Sequence, residues 1–217
     1  MAWKFKEDSV LNKYSEYTPC KDIFQAVCDE IGQYYVDKGG KYARSRPKIT
    51  FKNADLKIEI TFWSSGYNIP GEYVNLEMIP SIYSLELVKK AKEEGEKIKG
   101  HILSFMDVFT ERWDDKPKGS KLIINAFGER LERVDEYNSK TEIKYNKSVN
   151  VYGITEEKFE SLIHFIDSRI THWIESIHQP KNIQFFLDKL IPNDKTELLN
   201  GDFGTLLKLK FPDVNFR

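Results

Sequence analysis

The chain has 217 residues, 40% of them hydrophobic and 31% charged, a balance that belongs to a globular protein with a well-charged surface. Its 33 basic and 34 acidic residues leave a net charge of −1, which excludes any global pull towards nucleic acid or an anionic membrane. No run approaches the roughly 18 apolar residues that a membrane-spanning helix needs.

The first residues, Met1-Ala2-Trp3-Lys4-Phe5-Lys6, lack the apolar core of a secretory leader, so the cytosol is expected and no membrane partner. Thr18 and Pro19 then open a helix, with Thr18 as its cap. Ile23, Phe24, Val27, Cys28, Ile31, Tyr34 and Tyr35 recur at helical spacing, and Gly39-Gly40 ends the run. Cys20 and Cys28 lie eight residues apart on this helix, about 12 Å at the helical rise. That is too far for a mutual disulfide, and both read as small hydrophobes.

Residues 39–83 alternate cleanly between apolar and polar. Ile49 and Phe51 begin one strand. Leu56, Ile58, Ile60 and Phe62 mark the buried face of a second, against Lys57, Glu59 and Thr61. Val74, Leu76 and Met78 mark a third, which Pro80 is expected to stop or bulge. Short connections make these three an antiparallel meander.

Ser84 caps a charged helix expected to reach about Lys99. Ile102, Phe105, Met106, Phe109 and Trp113 fit a further helix, a reading preferred to a strand over residues 101–109. Leu122 to Ala126 reads as a buried strand. Residues 142–152 alternate again, with Ile143, Tyr145, Val149 and Val151 on one side. Thr155 caps the clearest helix, whose stripe runs Phe159, Leu162, Ile163, Ile166, Ile170, Trp173, Ile174 and Ile177. Shorter helices are expected over 182–190 and 194–199, and the tail over 203–211 is apolar enough to dock. The expectation is one α+β domain over 1–217, an antiparallel meander-type sheet on a long C-terminal amphipathic helix with additional helices.

Catalytic signatures are missing: no GxGxxG, phosphate loop, HExxH, CxxC pair or GxSxG occurs. The reading therefore leans away from an enzyme, with no cofactor and no metal. Glu160 and His164 stand one turn apart, a spacing that can hold a metal, but a solvated helix face explains them as well. Asp135 followed by Glu142-Ile143-Lys144 resembles the core of the PD-(D/E)XK nucleases. There, two carboxylates on adjacent strands hold a divalent metal beside a lysine. A turn near Asn138 would set Asp135 opposite Glu142, and Glu129 or Glu132 would add an upstream acid.

A third candidate combines cations with aromatics. Lys38, Lys41, Arg44, Arg46, Lys48, Lys52 and Lys57 place seven cations in twenty residues, followed by Trp63, Tyr67 and Tyr73. Such a segment can hold phosphates and stack bases. It can equally anchor a protein partner, because Trp, Tyr and Arg dominate interface hot spots. The binding residues singled out are Arg44, Arg46, Trp63, Ser64, Tyr67 and Asn68.

The same stretch resembles a bacterial domain family of unknown function. The resemblance rests on a helix ending in Gly40, the run Gly40-Lys41-Tyr42-Ala43-Arg44, the hairpin from Ile49 to Phe62, and the strand end Phe62-Trp63-Ser64-Ser65 with Asn68 nearby. It covers residues 20–85 and, more loosely, 149–177. It implies a cytosolic α+β protein of the kind that includes immunity-like proteins acting beside toxin systems, and it carries over no catalytic residue. The functional expectation is a non-catalytic protein-interaction domain. The alternatives are the metal-dependent nuclease, or nucleic-acid binding through the cations of 38–57, the latter disfavoured by the net charge.

Overall fold

The computed structural model describes residues 3–114, 116–132 and 140–217. A short 3-10 turn, Val10–Asn12, precedes helix α1 (Cys20–Asp37). Strands β1 (Lys41–Ala43), β2 (Lys48–Lys52), β3 (Leu56–Trp63) and β4 (Asn75–Ser84) follow, then α2 (Leu85–Glu93), β5 (His101–Ser104), α3 (Phe105–Val108) and β6 (Thr110–Arg112). Next come β7 (Lys121–Ile124), β8 (Arg130–Glu132), β9 (Glu142–Tyr145) and β10 (Ser148–Asn150). The chain closes with α4 (Glu156–Ile166), a π-helical turn (Asp167–Thr171), α5 (Trp173–Ser176), α6 (Pro180–Asp188), α7 (Pro192–Asn200) and α8 (Asp202–Lys210).

The α+β class and the meander are as the alternation predicts. The larger sheet runs β1-β2-β3-β4-β10, with β5 also paired to β4, and every pairing is antiparallel. Leu56, Ile58, Ile60 and Phe62 of β3 are all buried, as are Leu76 and Met78 of β4. Ile60 faces Ile49 on one side and Pro80 on the other. One hydrophobic cluster joins this sheet face to Ile23, Val27, Ile31 and Tyr35 of α1 and to Phe159, Ile166 and Trp173 of the later helices. Each large aliphatic or aromatic side chain sealed in this way contributes about 1.5–3 kcal/mol. The opposite sheet face carries Lys48, Glu59, Lys57 and Tyr83, tied by a Lys48–Glu59 pair at 2.9 Å and a Lys57 ammonium 4.2 Å from the Tyr83 ring centroid.

Up to residue 113, four expectations are corrected. Pro80 neither stops nor bulges its strand, since β4 runs through it. Met78 donates its N–H to the Lys147 carbonyl, so the Pro80 nitrogen, two residues on, faces the same edge. There β10 has ended and β5 begins only at Ser81; the missing donor falls in the gap between two partners. The helix over 102–113 does not form. Its residues divide into β5, α3 and β6, because the β4 edge beyond Pro80 needs a partner and Ser81, Ile82 and Tyr83 pair with β5. Met106, expected on the buried stripe, is 48% exposed.

The helix capped by Ser84 ends at Glu93, short of Lys99. Gly95 takes φ +81°, Gly95 donates to the Lys92 carbonyl and Glu96 to that of Ala91, which is the double bond of a Schellman stop. The Ser84 cap itself forms, accepting the Leu87 N–H at 3.1 Å. Finally, Thr18 is not the cap of α1: that position is Pro19, while the Thr18 hydroxyl accepts the Ser15 N–H at 2.9 Å.

The alternating run over 142–152 serves two sheets. Asn146 still donates to Ile124 in the second sheet, and Lys147 already accepts from Met78 in the first. The second sheet, β6-β9-β7-β8, holds a parallel β7–β9 pair that the sequence reading does not foresee. Within β9 the buried residue is Glu142, and Ile143 is only half-buried. Thr155 caps α4 as expected, accepting the Lys158 N–H at 3.3 Å, but the long helix is interrupted at Asp167–Thr171, where His172 donates to the Asp167 carbonyl five residues back. The 203–211 tail docks as α8, burying Phe203, Leu206 and Leu207. Both cysteines lie on α1 as free thiols.

Candidate functional site

Strand β3 leaves the sheet at Trp63, and residues 64–74 return the chain to β4. This connection is closed by its own polar groups. Asn68 donates its amide to the Ser64 hydroxyl at 2.7 Å and accepts the Asn75 N–H at 2.9 Å. Ile69 and Tyr73 exchange both backbone bonds at 2.8 Å, around a turn in which Gly71 takes φ +80°. Asn150 reaches across from β10, accepting from the Val74 N–H at 3.0 Å and donating to the Glu72 carbonyl at 3.1 Å. With these polar groups engaged internally, the loop has little freedom left to lose on contact with a partner.

Apart from Glu72, the large side chains it turns outward are apolar or aromatic. Trp63 is 60% exposed, Tyr67 87% and Ile69 49%. Tyr17, 84% exposed, belongs to the same end of the molecule, because its neighbour Glu16 lies against Gly71. Three of the large exposed apolar side chains thus belong to this connection and its start, and Tyr17 is carried on the segment that meets it at Gly71. Trp63 and Tyr67 are among the residues expected from sequence. Ile69 and Tyr17 are not: neither shows in local periodicity, and Tyr17 arrives from a segment 46 residues before Trp63.

Ser64 and Asn68, also expected at the surface, are the internal clasp of the loop. Asn68→Ala is expected to leave the Asn75 N–H without its acceptor, costing about 1–3 kcal/mol, read as a lowered urea midpoint. Arg44 is likewise engaged. Its Nε lies 3.0 and 3.2 Å from the two Asp29 oxygens, and Asp29 also accepts the Tyr42 hydroxyl at 2.9 Å. The Tyr42 ring covers Gly32, where an added Cβ would meet it at 2.4 Å. The Tyr42–Arg44 pair thus latches edge strand β1 onto α1. Arg46 is exposed and makes no ion pair among the described residues.

The seven cations do not form one stripe. Lys38 reaches Asp167 at 3.2 Å, Lys48 and Lys57 both reach Glu59, and Arg44 is held by Asp29. Lys52 and Lys57 stand opposite each other on the open sheet face. Of the nuclease set, Asp135 lies outside the described residues. Glu142 is buried and 3.4 Å from Lys121. Lys144, two residues on in β9, is half-buried. β8 and β9 pair with opposite edges of β7, so the strand leading towards Asp135 is not the neighbour of Glu142. Glu129 is engaged by Asn125 and Lys158, and Glu160 accepts the Trp3 N–H at 2.7 Å. Among the described residues no three His, Cys, Asp or Glu side chains converge as a metal site.

A second constellation, absent from the sequence reading, lies where the second sheet meets the interrupted helix. On one side of the π-helical turn, Asp167 accepts from Tyr35 at 3.0 Å and Thr171 at 3.0 Å. On the other, Arg169 pairs with Glu111 of β6 and lies over the Tyr145 ring, 3.5 Å from its centroid. Lys189, at the end of α6, approaches the same carboxylate at 3.6 Å. π-Helical turns of this kind occur often at functional sites. Glu111 and Arg169 are 58 residues apart, so only the fold brings them together.

His172 flanks this cluster against Trp173. Burial first, and then the Arg169 guanidinium, hold its imidazole down to about 4. An unfolded histidine titrates near 6.5, so stability is fully present above that pH and falls as pH drops from about 6.5 to about 4. The loss is about 1 kcal/mol rather than the full shift, because His172 still has an exposed surface through which solvent screens its charge. His172→Gln is expected to flatten this slope in denaturation series at pH 7.5 and pH 5.

Among the described residues no helix is long and apolar enough to cross a membrane. Comparison with known proteins finds no matching family model, no similar curated protein and no similar solved structure.

Proposed function

We propose that this chain is a non-catalytic protein-interaction domain, working in the bacterial cytosol in an immunity-like role, and that Trp63, Tyr67, Ile69 and Tyr17 form its contact surface. The observation that carries this reading is the outward presentation of Trp63, Tyr67 and Ile69 along a connection held by its own hydrogen bonds, with Tyr17 on the neighbouring segment. Aromatic side chains on a pre-ordered support lose little entropy on binding, and such residues supply most of the energy of protein interfaces. Arg46, exposed and without an ion pair among the described residues, is available as a polar anchor. A cytosolic setting agrees with the free thiols of Cys20 and Cys28.

Affinity capture from the native host tests it, with the tagged chain beside a Trp63→Ala/Tyr67→Ala variant. A protein held by the first and lost by the second supports the reading, provided the two purified chains then bind each other directly. Identical captures from both would overturn it. Recovery of nucleic acid in place of protein, released steeply by salt, would instead support binding through Lys48, Lys52 and Lys57.

A further inference from the structure

Two cavities flank Arg169. One, of about 480 Å³, is walled by Trp173, Phe185 and Phe186 and opens onto Glu111 and Lys189. The other, of about 430 Å³, is bounded by Phe127, Tyr145 and Phe165. Both are lined by His164, Ser168 and Arg169, so the guanidinium forms the wall between them. Each has the size of a pocket for a small molecule.

The hydrogen-bonding capacity of this place is unbalanced. Arg169 carries five N–H groups, Lys189 three and Tyr145 one, against the roughly four lone-pair sites of a single carboxylate. All three converge on Glu111: Arg169 and Lys189 as described, and the Tyr145 hydroxyl at 3.4 Å. Asp107, the other acid lining the larger cavity, commits its Oδ2 to the Ser104 N–H at 2.6 Å and the Ser104 hydroxyl at 2.7 Å. Around Glu111 itself the surplus is therefore in donors. An oxyanion answers it, since carboxylate and phosphoryl groups only accept and match the planar fork of arginine. The surroundings ask for an apolar body on that anion. Phe185 is 64% exposed, with the Lys189 ammonium 4.5 Å from its ring centroid, so a flat ring and a cation face the solvent side by side.

We propose that Arg169 and Lys189 receive the carboxylate or phosphoryl group of a small aromatic molecule whose ring packs on Phe185. Binding displaces Lys189 from its long contact with Glu111 and leaves the closer Arg169–Glu111 pair in place. The site is separate from the Trp63–Tyr67 surface and does not depend on it.

Calorimetric titration of the full chain with benzoate, phenyl phosphate and inorganic phosphate tests this. At least one aromatic anion is expected to bind with Kd at or below about 1 mM, the tighter of the two identifying the headgroup, and inorganic phosphate about tenfold more weakly. Phe185→Ala, at an exposed position, and Lys189→Gln, at a half-buried one outside the core, are each expected to weaken binding about tenfold. Glu111→Gln removes the competing negative charge and is expected to tighten it, which a purely structural role of Glu111 would not do. The proposal is overturned if neither aromatic anion binds at millimolar concentration, if Lys189→Gln binds as well as the parent, or if inorganic phosphate matches phenyl phosphate.

Discussion

Alanine at both Trp63 and Tyr67 is expected to weaken the chain's hold on its protein partner by at least about 30-fold, the equivalent of about 2 kcal/mol, while leaving its own stability unchanged. The two halves of this result have separate causes. Neither ring packs into the core: Trp63 is 60% and Tyr67 87% exposed, and exposed side chains away from caps and buried polar groups alter stability by less than about 0.5 kcal/mol. In a complex the same rings would be desolvated, and aromatic anchors at the centre of an interface carry most of its energy. Matching urea midpoints with divergent affinities, from calorimetry on the purified pair, would meet the expectation. An affinity loss that only followed a fall in stability would contradict it. Asn68→Ala separates support from contact, since it lowers the midpoint and reaches the partner only through the shape of the loop. The salt series adds a further discrimination. An interface built on apolar rings is little affected by ionic strength, whereas one built on phosphate contacts weakens with a steep logarithmic slope.

Gly204→Ala is expected to cost more than about 3 kcal/mol of stability. In an exposed helix this substitution would gain about 1 kcal/mol, so the sign itself is diagnostic. Helices α7 and α8 meet at Gly201, and Gly204 lies against the last turn of α7. A Cβ there would stand 1.7 Å from the Leu199 carbonyl oxygen and 2.5 Å from its carbon. Both atoms are backbone, so no side-chain rotation relieves the contact and the helices must separate. Phe203, Leu206 and Leu207 are buried on α8, and Phe203 stands edge-on to Trp173 at 6.1 Å. Shifting α8 therefore opens the core behind Trp173 and loosens the wall of the Arg169 cleft. A denaturant midpoint equal to or above that of the parent would refute this account of the α7–α8 corner.

The legibility of these features in the sequence follows from their range. The β2–β3–β4 meander is plain there because pleating places every second side chain on one face, and Leu56, Ile58, Ile60 and Phe62 obey that period. The Ser84 and Thr155 caps are plain because a cap is a contact across three residues. The Gly95 stop is equally local and was legible in principle: a left-handed glycine after a charged run ends a helix. The helical stripe over 102–113 misleads because a period of apolar residues says which side chains seek burial and not which element carries them. The unpaired edge of β4 beyond Pro80 decided that segment in favour of β5.

The candidate surface is half legible. Trp63 and Tyr67 stand out as aromatics in a loop, but residue type alone does not say which way a side chain turns. Ser64 and Asn68 share that loop and turn inward, because the Asn75 N–H and the Ser64 hydroxyl offer the Asn68 amide both of its partners. Arg44 looks available for a ligand until Asp29, one α1 face away, claims it.

By itself the sequence determined the α+β class, the three-strand meander, the capped helix after Thr155 and the aromatic content of the β3–β4 connection, all of which follow from contacts and periodicities within a few residues. Only the tertiary structure decided the second sheet with its parallel β7–β9 pair, the arrival of Tyr17 beside Gly71, and the meeting of Glu111, Tyr145, Arg169 and Lys189. Those depend on residues tens of positions apart, and no local energy distinguishes them until burial of the shared core has fixed the elements against one another.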